Sequence, residues 1–252
     1  MGVFIFILGL LLGSFYNVVG IRLLRKESIL FPRSHCLKCN HTLVWYENIP
    51  VISYLFLRGK CKNCHQKISF MYPSMELLTG ILFLISYNLF GIGYDFYLAI
   101  ILSSLVVLIL ITDTKHMIIL DEMLVASGVL ILLVNIIYKG LIYSLQSLGN
   151  GLVIFLMMYL LMLLGNFLFK KESLGGGDIK LSFIAGMVLG IPIGIFYIII
   201  AAFLAFPYAV YISIKNSDGT LPFGPFLATS LFLCFCSWNL LFEFINTLFN
   251  KI

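Results

Sequence analysis

Long apolar runs recur along the whole chain, broken by short polar turns and by one longer polar stretch near the start. A helix needs about 20 apolar residues to cross roughly 30 Å of hydrocarbon. Runs that approach this length fall at 2–23, 74–92, 95–112, 121–138, 145–169, 179–192, 194–214 and 223–248. The pattern predicts an all-α polytopic membrane protein with about eight transmembrane helices and a small insert after the first. The run 179–192 is short and broken by Gly190 and Pro192, so it is expected to tilt or insert only in part, with seven crossings as the fallback. Residues 2–23 are long for the apolar core of a signal peptide and no mature soluble domain follows, so this run is expected to remain as the first span. Three domains are expected: the first transmembrane helix (1–23), a cytoplasmic insert (24–73) and a transmembrane core (74–252).

Composition agrees with this reading, since 61% of the 252 residues are hydrophobic and 11% are charged. Charge placement adds an orientation, because cytoplasmic loops near membrane ends carry the excess of lysine and arginine. With the amino terminus outside, all 16 lysines and arginines face the cytoplasm except Lys139 and Lys251. The net charge of +5 then reflects topology and contact with anionic membrane lipid, and does not favour nucleic-acid binding.

The insert carries Cys36-x2-Cys39 and Cys61-x2-Cys64, with turn residues Asn40-His41 and Gly59-Lys60 beside them. Each C-x-x-C curls two thiolates toward one ion, and two such knuckles complete a closed, tetrahedral, structural zinc site. A thioredoxin-like redox pair would need a βαβ setting that so short an insert lacks, and a reducing cytoplasm disfavours disulfides. A segment this small rarely builds a sufficient core alone, which a metal cross-link would remedy. Between the knuckles, Trp45 to Leu57 is apolar and aromatic, interrupted by Pro50, and suits the bilayer surface.

Candidate chemistry centres on Leu174-Gly175-Gly176-Gly177-Asp178-Ile179-Lys180. An aspartate at the centre of a membrane helix costs roughly 2.5–3.5 kcal/mol on insertion scales, and ionisable residues kept near membrane depth usually line functional cavities. Successive glycines allow positive φ and let another chain come close. The same stretch also reads as a loop at a helix start with Asp178 as a cap. Asp113 ends the third span, before the charged turn Asp113-Thr114-Lys115-His116. Two further crossings separate it from Asp178, so the carboxylates return to one side and one depth although 65 residues lie between them. Two carboxylates sharing a site do not both ionise readily, so one keeps a proton while the other acts as base toward a water. This is the arrangement of an aspartic protease. Other nucleophile schemes fare worse, because the four histidines (35, 41, 65, 116) all lie in the insert or a turn and no G-x-S-x-G or H-E-x-x-H occurs. His116, nearest the candidate pair, reads as a solvated turn residue.

Several other polar residues keep two readings. Gly9, Gly13, Ser14 and Gly20 suit close helix packing, whereas Asn17 buries an amide that either packs the first span or belongs to a site. Glu76, just after Pro73-Ser74, is expected in the first turn of the second span, where a carboxylate favours the helix dipole, or else it serves a site. The turn Asn216-Ser217-Asp218-Gly219-Thr220 leads into Leu221-Pro222-Phe223-Gly224-Pro225-Phe226. Irregular backbone of that kind is tolerated at depth only when protein or a cavity covers it, so it is expected to border the site. Cys234 and Cys236 lack knuckle partners and read as small core residues. Glu243 is expected at the outer interface.

The residues resemble those of the type IV prepilin peptidases, a family of G-x-G-D aspartyl proteases, along nearly the whole chain. Five stretches carry the likeness: Gly13-Ser14-Phe15-Tyr16-Asn17-Val18-Val19 with Arg22; the knuckles with Asn48-Ile49-Pro50 and Leu57-Arg58-Gly59; Tyr72-Pro73 with Glu76-Leu77-Leu78-Thr79-Gly80; Gly175 to Leu181; and Pro222-Phe223-Gly224-Pro225-Phe226-Leu227-Ala228. The resemblance makes Asp113 and Asp178 the catalytic pair, and Gly175 and Gly177 the motif glycines. One departure is Leu120, where the family often has proline before the residue that opens the fourth helix; Asp121 is thereby a rival for the first catalytic aspartate, but Asp113 matches the family position. Members with the cysteine insert typically cut the leader of a pilin-like precursor at the cytoplasmic face of the bacterial inner membrane. They then methylate the new amino terminus with S-adenosylmethionine. Type IV prepilin or pseudopilin precursors are therefore the implied partners, serving pili, secretion or DNA uptake. No G-x-G loop between strand and helix is present to cradle a cofactor, so that site must be built from the insert and adjoining helix ends, with Asn17, Arg22 and Glu76 as candidates. The competing class is a zinc-stabilised membrane scaffold or small transporter with Asp113 and Asp178 as ion ligands.

Overall fold

Helix α1 (Gly2–Leu24) is apolar nearly all round, and a stripe of small residues at four-residue spacing, Gly9, Gly13 and Asn17, singles out one face. In the computed structural model, which describes residues 1–170, 174–215 and 221–249, that stripe is buried against α3 (Met71–Phe90). A Cβ on Gly9 would come within 2.7 Å of the Gly80 Cα, and one on Gly13 within 2.7 Å of the Glu76 Cα. The two backbones therefore touch, as small residues permit in membrane helix pairs. Between these helices runs the insert, which holds a four-residue 3-10 turn (Trp45–Asn48) and the five-residue helix α2 (Ile52–Phe56). Arg22 ties down the chain leaving α1, donating to Ser28 O and Ile29 O at 3.0 Å and to Pro32 O at 2.6 Å. Trp45, Leu55 and Phe56 are exposed. Among the described residues there is no β-strand, only the isolated bridges His35–Thr42 and Lys60–Lys67 in the knuckles.

Residues 93–252 form a second unit, distinct from 1–92. It contains α4 (Tyr94–His116), α5 (Asp121–Lys139), α6 (Leu141–Phe169), α7 (Gly176–Lys215), α8 (Gly224–Cys236) and α9 (Trp238–Phe249). Fully buried Leu98, Ala99, Leu102, Leu105 and Ile109 make α4 its core, and α8 packs on both α4 and α7. Within α7, Gly190 has φ 66 and ψ −178, a conformation open essentially to glycine alone. The chain reverses there. A Cβ on Gly194 would lie 4.0 Å from the Gly186 Cα, and Ser182 Oγ lies 3.2 Å from Tyr197 Oη, so the two arms run antiparallel from Gly190. Pro192 falls at the start of the second arm, where its missing N–H costs least.

Six helices among the described residues are long and apolar enough to cross a membrane, or seven if α8 and α9, bent by 82°, count as one span. This count takes α7 as a single helix; the expected eight counts its arms separately. The run 223–248, expected as one span, is broken at Ser237. The third span also extends further than expected. Asp113 to His116 continue α4 as its last turn, which Met117 ends in a left-handed conformation (φ 53). The turn 216–220 and the lysines at 171 and 251 lie outside the described residues.

Candidate active site

Gly175 precedes α7, so Gly176, Gly177 and Asp178 occupy its first three positions. The Asp178 carboxylate accepts from the backbone N–H of Gly175, the half of a capping box in which the third residue reaches back to the cap. The expected capping role is thus present. Cap and site coincide, because Asp178 is only 8% exposed and lies near enough to Asp113, 5% exposed, for their charges to interact. Asp113 stands in the last turn of α4, its Oδ2 is buried without a hydrogen-bond partner, and the Gly224 backbone amide interacts with its carboxylate.

Tight contacts fix this geometry. A Cβ on Gly224 would meet Asp113 Oδ2 at 2.7 Å and Ile119 Cδ1 at 2.8 Å, and one on Gly177 would meet Ile119 Cβ at 2.8 Å. Ile119, on the link from α4 to α5, is therefore a wedge between the starts of α7 and α8. Gly176 has nothing within 4 Å. Below Asp178, Ser182 Oγ donates to the Asp178 carbonyl at 3.0 Å and contacts the fully buried Tyr197, whose own carbonyl accepts from Ser230 at 2.7 Å. Ile119, Ser182 and Tyr197 carry no signal in the sequence, since apolar or hydroxyl side chains inside apolar helices look like packing. Gly224 lay within the stretch expected to border the site. Asp121, the rival aspartate, opens α5 and is exposed, with both carboxylate oxygens 2.7 Å from Lys180 Nζ. His116 is exposed at the end of α4.

In the amino-terminal unit the knuckles are near copies offset by 25 residues. Cys36 N–H donates to His41 O and Asn40 N–H to Cys36 O; Cys61 N–H donates to Gln66 O and His65 N–H to Cys61 O. Asn40 and His65 take the same left-handed turn, with φ 55 and 54. The four sulfurs lie within 4.8 Å of one another, with Cys36–Cys64 at 3.8 Å and Cys39–Cys61 at 3.9 Å. A tetrahedral zinc with Zn–S bonds of about 2.3 Å requires S–S separations of about 3.8 Å, so the donor set fits that ion. Without a metal the thiols share their charge unequally: hydrogen bonds from the backbone amides of Cys39 and Lys38 pull Cys36 down to about 6, while desolvation and the neighbouring thiols hold Cys64 up at about 11.

The remaining candidates, Asn17, Arg22 and Glu76, line one cavity of about 780 Å³ beside the knuckles. Glu76 corrects an expectation. Because α3 begins at Met71, Glu76 lies beyond the first turn; it is buried, and it accepts the Val51 N–H at 2.7 Å from across the insert. A residue without sequence signal joins them. Buried Glu47 accepts from Val44 N–H and His41 Nε2 at 3.0 Å, contacts that hold its carboxyl below the usual carboxylate range.

Two family models match the chain: Bacterial Peptidase A24 N-terminal domain over residues 7–90, and Type IV leader peptidase family over residues 99–210. The chain is similar to a prepilin leader peptidase/N-methyltransferase of Bacillus subtilis, 34% identical over 240 residues that cover 92% of each protein. It is similar to proteins of the same description from Vibrio cholerae, 30% identical over 93% of this chain and 96% of that one, and from Myxococcus xanthus, 41% identical over 70% of this chain and 52% of that one. No solved structure matches it significantly.

Proposed function

The chain belongs to the type IV leader peptidase family and is a multi-pass membrane protease, and from that premise we propose that Asp113 and Asp178 cut the leader from prepilin or pseudopilin precursors. The cleavage is placed at the cytoplasmic face of the bacterial inner membrane, where the lysine and arginine bias puts both aspartates. The observation that carries this reading is the meeting of two buried carboxylates from α4 and α7, 65 residues apart in sequence. One carboxylate takes a proton from water as the oxygen attacks the scissile carbonyl. The other, protonated, donates a hydrogen bond to that carbonyl, and the proton then passes to the leaving amine. Gly175 and Gly177 let the Asp178 carboxylate and Ile119 pack against the start of α7, and the open side at Gly176 leaves room for an extended substrate backbone. The scaffold or transporter alternative is not favoured by membership of a peptidase family.

The second activity is methylation of the amine that cleavage exposes. S-adenosylmethionine would supply a methyl group made transferable by its sulfonium charge. Cys36, Cys39, Cys61 and Cys64 would hold zinc as a cross-link that folds the insert and has no part in cleavage. The test of the peptidase reading is substitution: Asp113→Asn and Asp178→Asn each leave a folded, inserted protein whose leader cleavage falls by roughly 10²–10⁴-fold or more. Cleavage within a few-fold of wild type by either variant would remove the assignment.

A further inference from the structure

Neither activity accounts for the exposed apolar face of α2. Ile52, Leu55 and Phe56 stand at i, i+3 and i+4, so they share one face of that helix. Leu55 is 68% and Phe56 84% exposed, and Trp45, in the 3-10 turn that packs against α2, is 77% exposed. Large apolar groups gathered in this way mark a surface that something else covers. Hydrogen bonds to α3 fix how deep this surface sits. With 20 residues, α3 is about 30 Å long, the thickness of the hydrocarbon layer, so Met71 marks the membrane boundary on the side of the insert. Glu76 is five residues further in, about 7.5 Å past that boundary. Its Oε2 accepts the backbone N–H of Val51, the residue that caps α2, at 2.7 Å. Val51 has φ 60 and ψ −47, and the Ile52 N–H reaches back to Pro50 O at 2.6 Å. A γ-turn with positive φ is rare and, at a β-branched residue, strained, so it persists only where its surroundings determine it. Tyr54, within α2, donates to Ile68 O at 3.4 Å and sets its ring against Phe70, with 6.2 Å between centroids. Helix α2 is thus moored between residues 68–70, just outside the boundary, and Glu76, inside it.

We propose that the face made by Ile52, Leu55 and Phe56, together with Trp45, dips into the leaflet on the insert's side and is covered there by anionic phospholipid. The lysine and arginine bias makes this the cytoplasmic leaflet. Amphipathic segments that lie in a membrane without crossing it bury their apolar face about 5–10 Å into the boundary between headgroups and acyl chains, which is the depth that Glu76 sets. Charge complementarity selects the lipid. Within residues 25–70, eight lysines and arginines are exposed against one exposed acid, Glu27. None of these cations falls between Lys38 and Arg58, the stretch that holds the whole apolar face, and Arg58 and Lys60 follow α2 directly. Acyl chains therefore meet the apolar face while headgroups meet the cations around it. Lipid covers this face whatever reaction the insert serves, because the flanking spans α1 and α3 suffice to hold it in place. Buried Glu76 acts here as a mooring that keeps a segment of the insert at depth.

The chain has two tryptophans, Trp45 and Trp238, so a full-length Trp45→Phe, Trp238→Phe, Phe56→Trp variant carries one fluorescent reporter on the face. In nanodiscs containing phosphatidylglycerol, its emission is expected to be lost mostly to phospholipid brominated near the headgroup end of the acyl chain. Phospholipid brominated at the chain end should quench it less, and acrylamide in the water should quench it little. Quenching by acrylamide and not by bromine, or by neither because protein covers the face, would overturn the proposal. At equal content, brominated phosphatidylglycerol should quench more than brominated phosphatidylcholine, and equal quenching would remove the preference for anionic lipid. Adding Glu76→Ala should shift quenching from lipid toward acrylamide; an unchanged profile would show that Glu76 does not set the depth. Melting temperatures report whether these variants are folded. A last measurement uses wild type alone: phosphatidylglycerol with a photoactivatable group near the headgroup end of its acyl chain is expected to label residues 52–56. Label on α1 and α3 with none between residues 44 and 57 would overturn the proposal without reference to any variant.

Discussion

Three adjacent glycines before Asp178 face three different surroundings, so an alanine scan across them should give three different answers. At Gly177 the new Cβ would sit 2.8 Å from Ile119 Cβ. Carbon atoms settle at about 3.5–4.0 Å, so the start of α7 must move by about 1 Å, because a Cβ cannot swing away as a flexible side-chain end can. A misplacement of about 1 Å at a catalytic group costs on the order of 10²-fold in rate, while overpacking of this kind costs about 1–3 kcal/mol of stability. At Gly175 the Cβ would lie 3.2 Å from Asp178 Oδ2, a contact that a small shift of the carboxylate relieves, and an intermediate loss is expected. At Gly176 nothing lies within 4 Å and the residue is helical, so alanine should be neutral or stabilise by up to about 1 kcal/mol. The assay is leader cleavage in membranes with thermal melting in parallel. Equal activity for Gly177→Ala and Gly176→Ala, or loss of activity in Gly176→Ala, would refute the packing argument.

Other expectations follow from the knuckles, from the separation of the two activities and from the hairpin. Purified protein should contain one zinc per chain; Cys→Ser at 36, 39, 61 or 64 should lose it and unfold the insert, and a metal-free wild type with an intact insert would remove the zinc reading. The Cys61→Ser, Cys64→Ser double variant should lose methylation more completely than cleavage, whereas Asp178→Asn should stop both yet still methylate a pre-cleaved substrate; mass spectrometry of the product distinguishes these, and methylation that survives loss of the knuckles would place the transferase elsewhere. Gly190→Ala should destabilise by about 1–3 kcal/mol because alanine is strained at φ 66, ψ −178. Gly149→Ala, helical with nothing within 4 Å, is the neutral comparison, and equal melting temperatures for the two variants would contradict the hairpin geometry.

The helices were legible in the sequence because length and apolarity suffice to mark them, and the knuckles because two C-x-x-C pairs admit few readings. The meeting of Asp113 and Asp178 followed from counting crossings. Features that depend on one torsion or one long-range contact were not legible. Gly190 showed only as a weak point in a run, with no sign that its positive φ folds the two arms against each other. Glu76 looked like a first-turn acid because Pro73 suggested a helix start, yet α3 begins two residues earlier, with Pro73 at its third position, where a missing N–H is still tolerated. Arg22 read as a ligand candidate, and its three carbonyl partners sit in a loop with no periodic signal. Glu47 could not be singled out among surface acids, because its burial is created by the folded knuckles around it.

The reversal at Gly190 leaves the first arm of α7, residues 176–189, about 21 Å long at 1.5 Å per residue, and α8, which ends at Cys236, is about 20 Å. Both begin at the aspartate pair, and both fall about 10 Å short of a hydrocarbon layer of roughly 30 Å. Most residues of both are buried among their neighbours, so longer helices around them, and not lipid, cover the difference. Because both helices start at the same place and stop short, the two carboxylates sit at one end of the bundle, not at its middle.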